Sequence, residues 1–90
     1  MTTSEIAALQ ISDIIVYTKG LNYKTSYIVE QRDLKFVDLR CIKVVGRYKS
    51  HIIGQKSIDY PIYYLINDYW VLEDSIYYKL QYLLRQNHDN

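Results

Sequence analysis

Short runs of alternating apolar and polar residues dominate the chain and predict a β-rich fold. Residues 13–19 form a β-branched and aromatic run, and residues 25–30 form a second run after the turn-forming residues 20–22. We therefore expect these two runs to pair as an antiparallel hairpin. Residues 32–34 then predict a turn that leads into a longer extended segment over residues 35–45.

The alternation changes phase within this third run. Val37, Leu39 and Cys41 are apolar in its first half, whereas Ile42 and Val44 are apolar in its second half. Because successive residues of a strand point to opposite faces, a strand needs one extra residue to change phase. The pattern predicts a β-bulge or a corner near Cys41 and Ile42.

The next part of the chain predicts a second hairpin. Residues 46–60 mix glycine, charged and apolar positions, and they leave open a long loop or a short irregular strand pair. Pro61 is predicted to open a strand over residues 62–66, which returns over residues 69–72 after the turn-forming pair at 67–68. Both faces of this hairpin are largely apolar. One face is expected to meet the core, and the other needs a cover.

Helices are predicted at both ends of the chain. Thr3 or Ser4 can cap a short helix that runs to Leu9. Asp74 can cap a longer amphipathic helix over residues 75–86, whose apolar arc is expected to pack inward. The opposite face of this second helix carries Tyr78, Tyr82 and Arg85.

These elements predict a mainly β (α+β) fold in a single domain over residues 1–90, with an ordered core of about residues 4–86. The expected architecture is a small, strongly bent antiparallel sheet, or an SH3-like partly open barrel, of five or six strands with the two flanking helices. The segment Ile11-Ser12-Asp13-Ile14-Ile15-Val16 resembles the first strand of SH3-like barrels, where a Gly-Asp pair leads into an alternating strand. Here Ser12 stands in the position of the glycine. The resemblance covers one strand and implies no function.

Composition narrows the classes of function. With 49% hydrophobic and 23% charged residues, the chain is expected to be ordered, and its formal net charge of +1 gives no overall attraction to nucleic acid or to an anionic membrane. No apolar run approaches the roughly 18 residues of a membrane span, so we expect no membrane partner. The single cysteine excludes an internal disulfide, and the start of the chain lacks the features of a signal peptide. The expected location is the cytoplasm.

Residues suited to catalysis or cofactor binding are sparse. Cys41 and His51 are the only candidates for thiol chemistry, and Cys41 lies in a predicted buried strand, where cysteine acts as a small apolar residue. The residues show neither zinc spacing, nor a calcium loop, nor a glycine-rich phosphate loop. We therefore predict no metal, no cofactor and no enzymatic activity. An RNase-like toxin is a further alternative, and it would need Arg47, Tyr48 and His51 to converge on a scissile phosphate.

A basic stretch without acidic residues lies between Asp38 and Asp59. Cations that neutralise phosphates, next to an aromatic ring that stacks on a base, are typical of single-stranded nucleic-acid sites. The alternative is a solvated loop, which the near-neutral net charge favours. The candidate nucleic-acid-binding residues are Arg40, Lys43, Arg47, Tyr48, Lys49, His51 and Lys56.

Tyrosine is the most informative residue type in the chain. There are 11 tyrosines but only one phenylalanine and one tryptophan, which indicates that the hydroxyl is needed as well as the ring. Tyrosine and arginine are enriched at protein interfaces. The leading hypothesis is a small non-enzymatic module that binds a protein partner or itself, for example as a homodimer or as an accessory or inhibitor protein. Its candidate protein-binding residues are Tyr64, Tyr69, Tyr78, Tyr82 and Arg85.

Overall fold

The computed structural model describes residues 1–18, 23–46 and 53–73, together with Leu84, and it shows an antiparallel sheet of five strands. The elements are α1 (Thr3–Ala7), β1 (Ile14–Thr18), β2 (Lys24–Arg32), β3 (Phe36–Val45), β4 (Lys56–Pro61), a 3₁₀ helix (Ile62–Leu65) and β5 (Trp70–Glu73). The strand order is β4-β3-β2-β1-β5. The predictions of a mainly β fold and a short N-terminal helix are confirmed. Apart from Leu84, the predicted helix over residues 75–86 lies outside the described residues.

A capping box starts α1. The Thr2 hydroxyl accepts a hydrogen bond from the backbone N of Glu5 at 3.1 Å, and Glu5 Oε1 accepts one from the backbone N of Thr2 at 2.9 Å. The predicted caps, Thr3 and Ser4, were therefore wrong by one or two positions. The box requires an acidic or amide side chain three residues after the cap, and Glu5 places that cap at Thr2.

Arg32, at the end of β2, holds the other end of α1 against the sheet. Its Nη1 donates hydrogen bonds to the carbonyl oxygens of Ile6 at 2.7 Å and Leu9 at 2.8 Å. The last carbonyls of a helix have no partner within the helix. Here the Ile6 carbonyl also accepts from the backbone N of Leu9 at 3.2 Å, and Arg32 adds a donor from the sheet that ties the end of the helix to β2.

Strands β1, β2 and β3 form a meander whose inner face builds the core. Ile15 pairs with Tyr27, and Tyr27 pairs with Cys41, so these three buried residues share one face. The register moves from Ser26 opposite Lys43 to Tyr27 opposite Cys41. Ile42 is therefore an extra residue in β3, and the predicted bulge near Cys41 and Ile42 is confirmed.

The predicted hairpin over residues 62–72 was wrong. Residues 62–65 form a 3₁₀ helix, and β5 pairs with β1, with Trp70 opposite Tyr17. Ile62 and Leu65 are both buried, and a spacing of three residues places both on one side of a 3₁₀ turn. A strand would point them to opposite faces, so burial of this pair favours the turn.

The described residues of the undecided region before this turn include one strand, β4. Pro61 is its last residue and not the first residue of a following strand. At the end of β4, Pro61 pairs with Phe36 of β3. Because β4 is an edge strand, the missing N–H of the proline is tolerated. Asp59 has a φ of 55°, and the pairing between β3 and β4 shifts beside it. The strand is therefore short and irregular.

The sheet is open, but it bends enough that one side chain from each of its two end strands comes into contact with the other. The rings of Tyr60 in β4 and Trp70 in β5 have centroids 6.0 Å apart, although these strands lie at opposite ends of the strand order. A flat sheet would hold its end strands several interstrand spacings apart. The concave face encloses the core, whose buried residues include Met1, Ile6, Leu9, Ile15, Val29, Val37, Leu39, Ile62 and Leu65.

Thr25 offers a test of this core. Its side chain is 0% exposed, and its Oγ1 has no hydrogen-bond partner among the described residues. Because a buried unpaired hydroxyl is costly, Thr25→Val should raise the free energy of unfolding by about 1 kcal/mol. Urea denaturation measures this change. Thr18→Val is the matched control, since the Thr18 hydroxyl donates to the Tyr69 carbonyl at 3.2 Å. A loss of stability at position 25 would contradict this expectation.

Asp33 predicts a pH dependence of stability. Its Oδ1 accepts hydrogen bonds from the backbone N of Lys35 and of Phe36, both at 2.7 Å, and these bonds hold the pKa of the carboxyl below its usual 3.8. A carboxyl whose pKa is lower in the folded protein stabilises the fold at pH values above its usual pKa. This contribution is lost as the pH falls through the lowered pKa. The stability difference between the wild type and Asp33→Ala should therefore shrink from about pH 5 to about pH 2. Urea denaturation at a series of pH values measures it, and a constant difference would contradict the prediction.

Candidate protein-binding surface

Trp70 forms the base of a continuous group of aromatic rings. Its side chain is buried, and its ring centroid lies 5.1 Å from that of Tyr17, 5.5 Å from that of Tyr27 and 6.0 Å from that of Tyr60. These partners belong to β1, β2 and β4, whereas Trp70 opens β5. One indole therefore connects four strands, and the tilted ring pairs match the geometry that aromatic side chains prefer.

Three exposed tyrosines extend this group to the surface. Tyr69 contacts Tyr17 at 6.2 Å, Tyr64 contacts Tyr60 at 5.7 Å, and Tyr63 contacts Tyr64 at 4.5 Å between centroids. Tyr63, Tyr64 and Tyr69 are 64%, 48% and 52% exposed. We use "aromatic band" for the surface formed by Tyr17, Tyr60, Tyr63, Tyr64 and Tyr69 over Trp70.

Backbone geometry explains why these rings point outward. Ile62 and Leu65 are the buried residues of the 3₁₀ helix, so Tyr63 and Tyr64 between them face solvent. Tyr17 faces the core side of the sheet because it pairs with Trp70 across β1 and β5. Alternation along the strands and the three-residue turn together determine which rings are exposed.

The Asn67 side chain connects the backbone of Tyr64 to that of Tyr69, two exposed residues of the aromatic band. Its Nδ2 donates a hydrogen bond to the Tyr64 carbonyl at 3.1 Å, and its Oδ1 accepts one from the backbone N of Tyr69 at 2.9 Å. The Tyr69 carbonyl in turn accepts hydrogen bonds from the backbone N of Thr18 at 2.7 Å and from its hydroxyl. The backbone of the exposed tyrosines is therefore fixed, although their side chains are in solvent.

The pKa values of two hydroxyls of the band, Tyr60 and Tyr63, and of the neighbouring Tyr27 are raised. Burial is the main cause that raises the pKa of Tyr60 and of Tyr27 above the usual 10.0. A side-chain hydrogen bond with Tyr64 is the main cause that raises the pKa of Tyr63. A neutral phenol both donates and accepts hydrogen bonds. The band can therefore offer apolar faces and hydroxyl groups to the same partner.

The structure brings together two of the predicted protein-binding residues. Tyr64 and Tyr69 belong to one band, whereas Tyr78, Tyr82 and Arg85 lie outside the described residues.

The other members of the band were missed at the level of sequence. They are Tyr17, Tyr60, Tyr63 and Trp70. The predicted strand over residues 62–66 placed Tyr63 and Tyr64 on opposite faces, whereas the 3₁₀ helix exposes both of them. The three-residue spacing of Ile62 and Leu65 was the signal that could have placed both tyrosines on one exposed surface.

The basic stretch is less free than its sequence indicates. Arg40 Nε lies 2.8 Å from Glu30 Oε1, and its Nη1 donates to the Gly54 carbonyl at 2.8 Å. Lys56 Nζ lies 3.8 Å from Asp38 Oδ2. Acidic side chains on adjacent strands thus balance two of these cations. Lys43 is exposed, and Arg47, Tyr48, Lys49 and His51 lie outside the described residues. Binding of nucleic acid stays a prediction.

Cys41 lies in the core. It is 1% exposed, and burial raises the pKa of its thiol, which disfavours the reactive thiolate. Among the described residues there is no group of three or more His, Cys, Asp or Glu side chains that could hold a metal ion. In the same part of the chain, no helix is both long enough and apolar enough to cross a membrane.

Comparison with known proteins gives no match: no protein-family model, no curated protein and no solved structure is detectably similar to this chain. The candidate site therefore depends on the geometry of the residues alone.

The Tyr63–Tyr64 pair predicts a measurable titration. Tyr64→Phe keeps the ring but removes the hydroxyl that is the main cause of the raised pKa of Tyr63, so the pKa of Tyr63 should fall toward 10.0. NMR titration of the tyrosine Cζ signals measures it. Tyr69→Phe is the matched control and should leave the Tyr63 titration unchanged. An unchanged Tyr63 titration in Tyr64→Phe would show that the two hydroxyls do not interact.

Proposed function

We propose that this protein is a small cytoplasmic interaction module that binds a protein partner, or a second copy of itself, through the aromatic band. The observation that carries the proposal is that the exposed rings of Tyr64 and Tyr69 pack on buried and half-buried rings, while the exposed ring of Tyr63 packs on Tyr64. An accessory or inhibitor role fits such a module, because binding alone is sufficient for it.

The band has the physical properties of an interface hot spot. Neighbouring rings and a fixed backbone restrict the exposed tyrosines, so binding costs little side-chain entropy. Each ring offers a large apolar area, and each neutral hydroxyl can pair with a peptide carbonyl or amide of the partner. Tyrosine-rich surfaces of this kind are enriched in residues whose truncation weakens binding strongly.

Local charge favours a protein partner over nucleic acid. Asp68 is exposed and directly precedes Tyr69 of the band. Arg40 on β3 pairs with Glu30 on β2, and Lys56 on β4 pairs with Asp38 on β3, so acidic side chains balance both cations. A nucleic-acid site needs cations that adjoin the stacking rings. The basic stretch over Arg40 to Lys56 remains the alternative site, and a salt-sensitive gel shift would support it.

Two finer features complete the proposal. The contact between the end strands through Tyr60 and Trp70 supports an SH3-like partly open barrel, since a sheet whose ends touch approaches closure. We also propose that an amphipathic helix over residues 75–86 contributes Tyr78, Tyr82 and Arg85 to a second part of the interface. Its predicted outward face is the support for this part.

A peptide-display selection tests the proposal and needs no candidate partner. Peptides selected from a random library on the wild type should bind the Tyr64→Ser and Tyr69→Ser variants about tenfold more weakly or worse, because each change removes an exposed ring of the band. Fluorescence anisotropy measures the affinities, and sedimentation velocity of the same proteins measures self-association.

Leu34→Ser is the matched control. Leu34 is 92% exposed in the turn between β2 and β3, so its replacement removes a similar apolar area outside the band. The affinities of Leu34→Ser should match those of the wild type. Two results would overturn the proposal. In one, selected peptides bind the tyrosine variants as tightly as the wild type. In the other, the selection yields no peptide and the wild type sediments as a monomer.

A further inference from the structure

The face of the sheet opposite the core carries a second set of buried apolar residues. Ile14 pairs with Ile28 across β1 and β2, and their exposed fractions are 3% and 1%. Neither residue belongs to the core cluster, whereas their chain neighbours Ile15 and Tyr27 do. Because successive side chains of a strand point to opposite faces, the pair lies on the outer face of the sheet. We call Ile14, Ile28 and the half-buried Val16 on the same face the outer patch.

The outer patch is covered by another part of the same chain. Three successive residues of β2, Tyr27, Ile28 and Val29, are buried, and this pattern is typical of a strand with cover on both faces. The burial ends toward the edge of the outer face, where Val71 pairs with Val16 and is 50% exposed. These exposed fractions are those of a single chain, so the cover is part of this chain.

The described helices lie on the other face of the sheet. Both α1 and the 3₁₀ helix contribute buried residues to the core cluster, so they pack on the concave face. On the outer face, the Arg40 guanidinium binds Glu30 and the carbonyl of Gly54, which precedes β4. The Arg40 side chain therefore extends toward the β4 edge of the sheet and away from Ile14 on β1.

The position of the chain along the strands identifies the covering segment. Residues 19–22 begin beyond the end of β1, about 13 Å along the strand from Ile14. Residues 47–52 lie in the connection from β3 to β4, and β4 is at the edge of the sheet opposite β5. Glu73, in contrast, pairs with Ile14 and ends β5. The chain after Glu73 therefore begins beside the outer patch.

The sequence after Glu73 has the pattern of a covering helix. Ile76, Leu80 and Leu83 recur at positions i, i+4 and i+7, which form one face of an α-helix. Leu84 is in an α-helix and is 57% exposed, so it lies beside this face and not on it. A helix over residues 75–86 would be about 18 Å long, and the sheet is about 14 Å wide from β5 to β3. Such a helix is long enough to cross β1 and β2.

We propose that the outer patch is the docking site of residues 74–86 of the same chain, which bind it as an amphipathic helix. Ile76, Leu80 and Leu83 pack on the patch, and the sheet lies between this helix and the core. Burial of apolar side chains on both sides is the stabilising interaction.

The docking separates two parts of the proposed interface. Tyr78, Tyr82 and Arg85 lie on the helix face opposite the packing residues, so the helix presents them on the outer side of the sheet. The aromatic band is built on Trp70, which belongs to the core cluster on the concave face. Two partners can therefore bind at the same time. This last step rests on the proposed function, whereas the docking itself does not.

Methyl NMR of the intact protein tests the docking. With isotope-labelled isoleucine and leucine methyl groups, Ile28 should show nuclear Overhauser effects to Leu80 or Leu83. Leu34, which is 92% exposed in the turn after β2, is the control and should show none to Ile28. A second sample mixes copies labelled only at isoleucine with copies labelled only at leucine. The effects should vanish in that sample, because the contact lies within one chain.

The variant Leu80→Ser removes the central packing residue of the helix. Its melting temperature should fall by at least about 5 °C. A paramagnetic cosolvent should also broaden the Ile28 methyl signal more than in the wild type, while the signal of Ile15 in the core stays unchanged. Leu84→Ser is the matched control and should change neither quantity, since Leu84 is already 57% exposed.

Three results would overturn the proposal. The Overhauser effects of Ile28 involve no residue of the segment 74–86, or they persist in the mixed sample and so place a second copy on the patch, or Leu80→Ser behaves like Leu84→Ser. If Leu80→Ser does not fold, the Overhauser effects of the wild type decide. None of these readouts involves a partner protein, so the docking and the proposed function can fail separately.

Discussion

Burial of the Trp70 indole holds the two ends of the sheet together. The indole lies at the first residue of β5 and contacts rings from β1, β2 and β4, so it joins the end strands across the concave face. A large aromatic side chain contributes more apolar contact area than any other residue type. Without this ring, the end strands would lose the contact between Tyr60 and Trp70, and Tyr17 and Tyr60, on which Tyr69 and Tyr64 pack, would lose their shared neighbour.

The segment that connects β4 and β5 holds the exposed tyrosines next to the ring contacts of Trp70. Ile62 and Leu65 anchor the 3₁₀ helix in the core, and Asn67 joins the backbone of Tyr64 to that of Tyr69. The Met1 nitrogen donates hydrogen bonds to three carbonyls of the same segment, those of Leu65, Asn67 and Trp70. These three attachments hold the backbone of this short segment in place, so the tyrosine side chains keep more conformational freedom than the backbone does. A surface with so little flexibility is suited to binding, since few conformations are lost when a partner docks.

The local part of the fold was predictable from the sequence, and the long-range part was not. The phase change of the apolar pattern at Cys41 and Ile42 predicted a bulge or a corner in β3, because a strand with a two-residue period needs an extra residue to change phase, and the register shows the bulge. The pairing of β5 with β1 joins residues far apart in the chain, and no local pattern specifies it. The short apolar run over residues 62–66 fits a strand by composition, and only the burial of Ile62 with Leu65 identifies the turn. Ser12 has a φ of 78°, the left-handed conformation that glycine favours, at the position where the first strand of SH3-like barrels has a glycine. Tyr64 and Tyr69 were identified as candidates from composition, but their connection through Tyr60, Trp70 and Tyr17 required the structure.

The tyrosines supported by Trp70 are proposed to form the surface that meets another protein. An NMR titration of the isotope-labelled protein, with selected peptides and over a series of protein concentrations, tests this proposal at the level of single residues. We expect the largest chemical-shift changes on Tyr63, Tyr64, Tyr69 and the Trp70 indole, while Leu34 and Lys43 stay unchanged. Changes centred on Lys43 and Arg40, with none at the three exposed tyrosines, would contradict it.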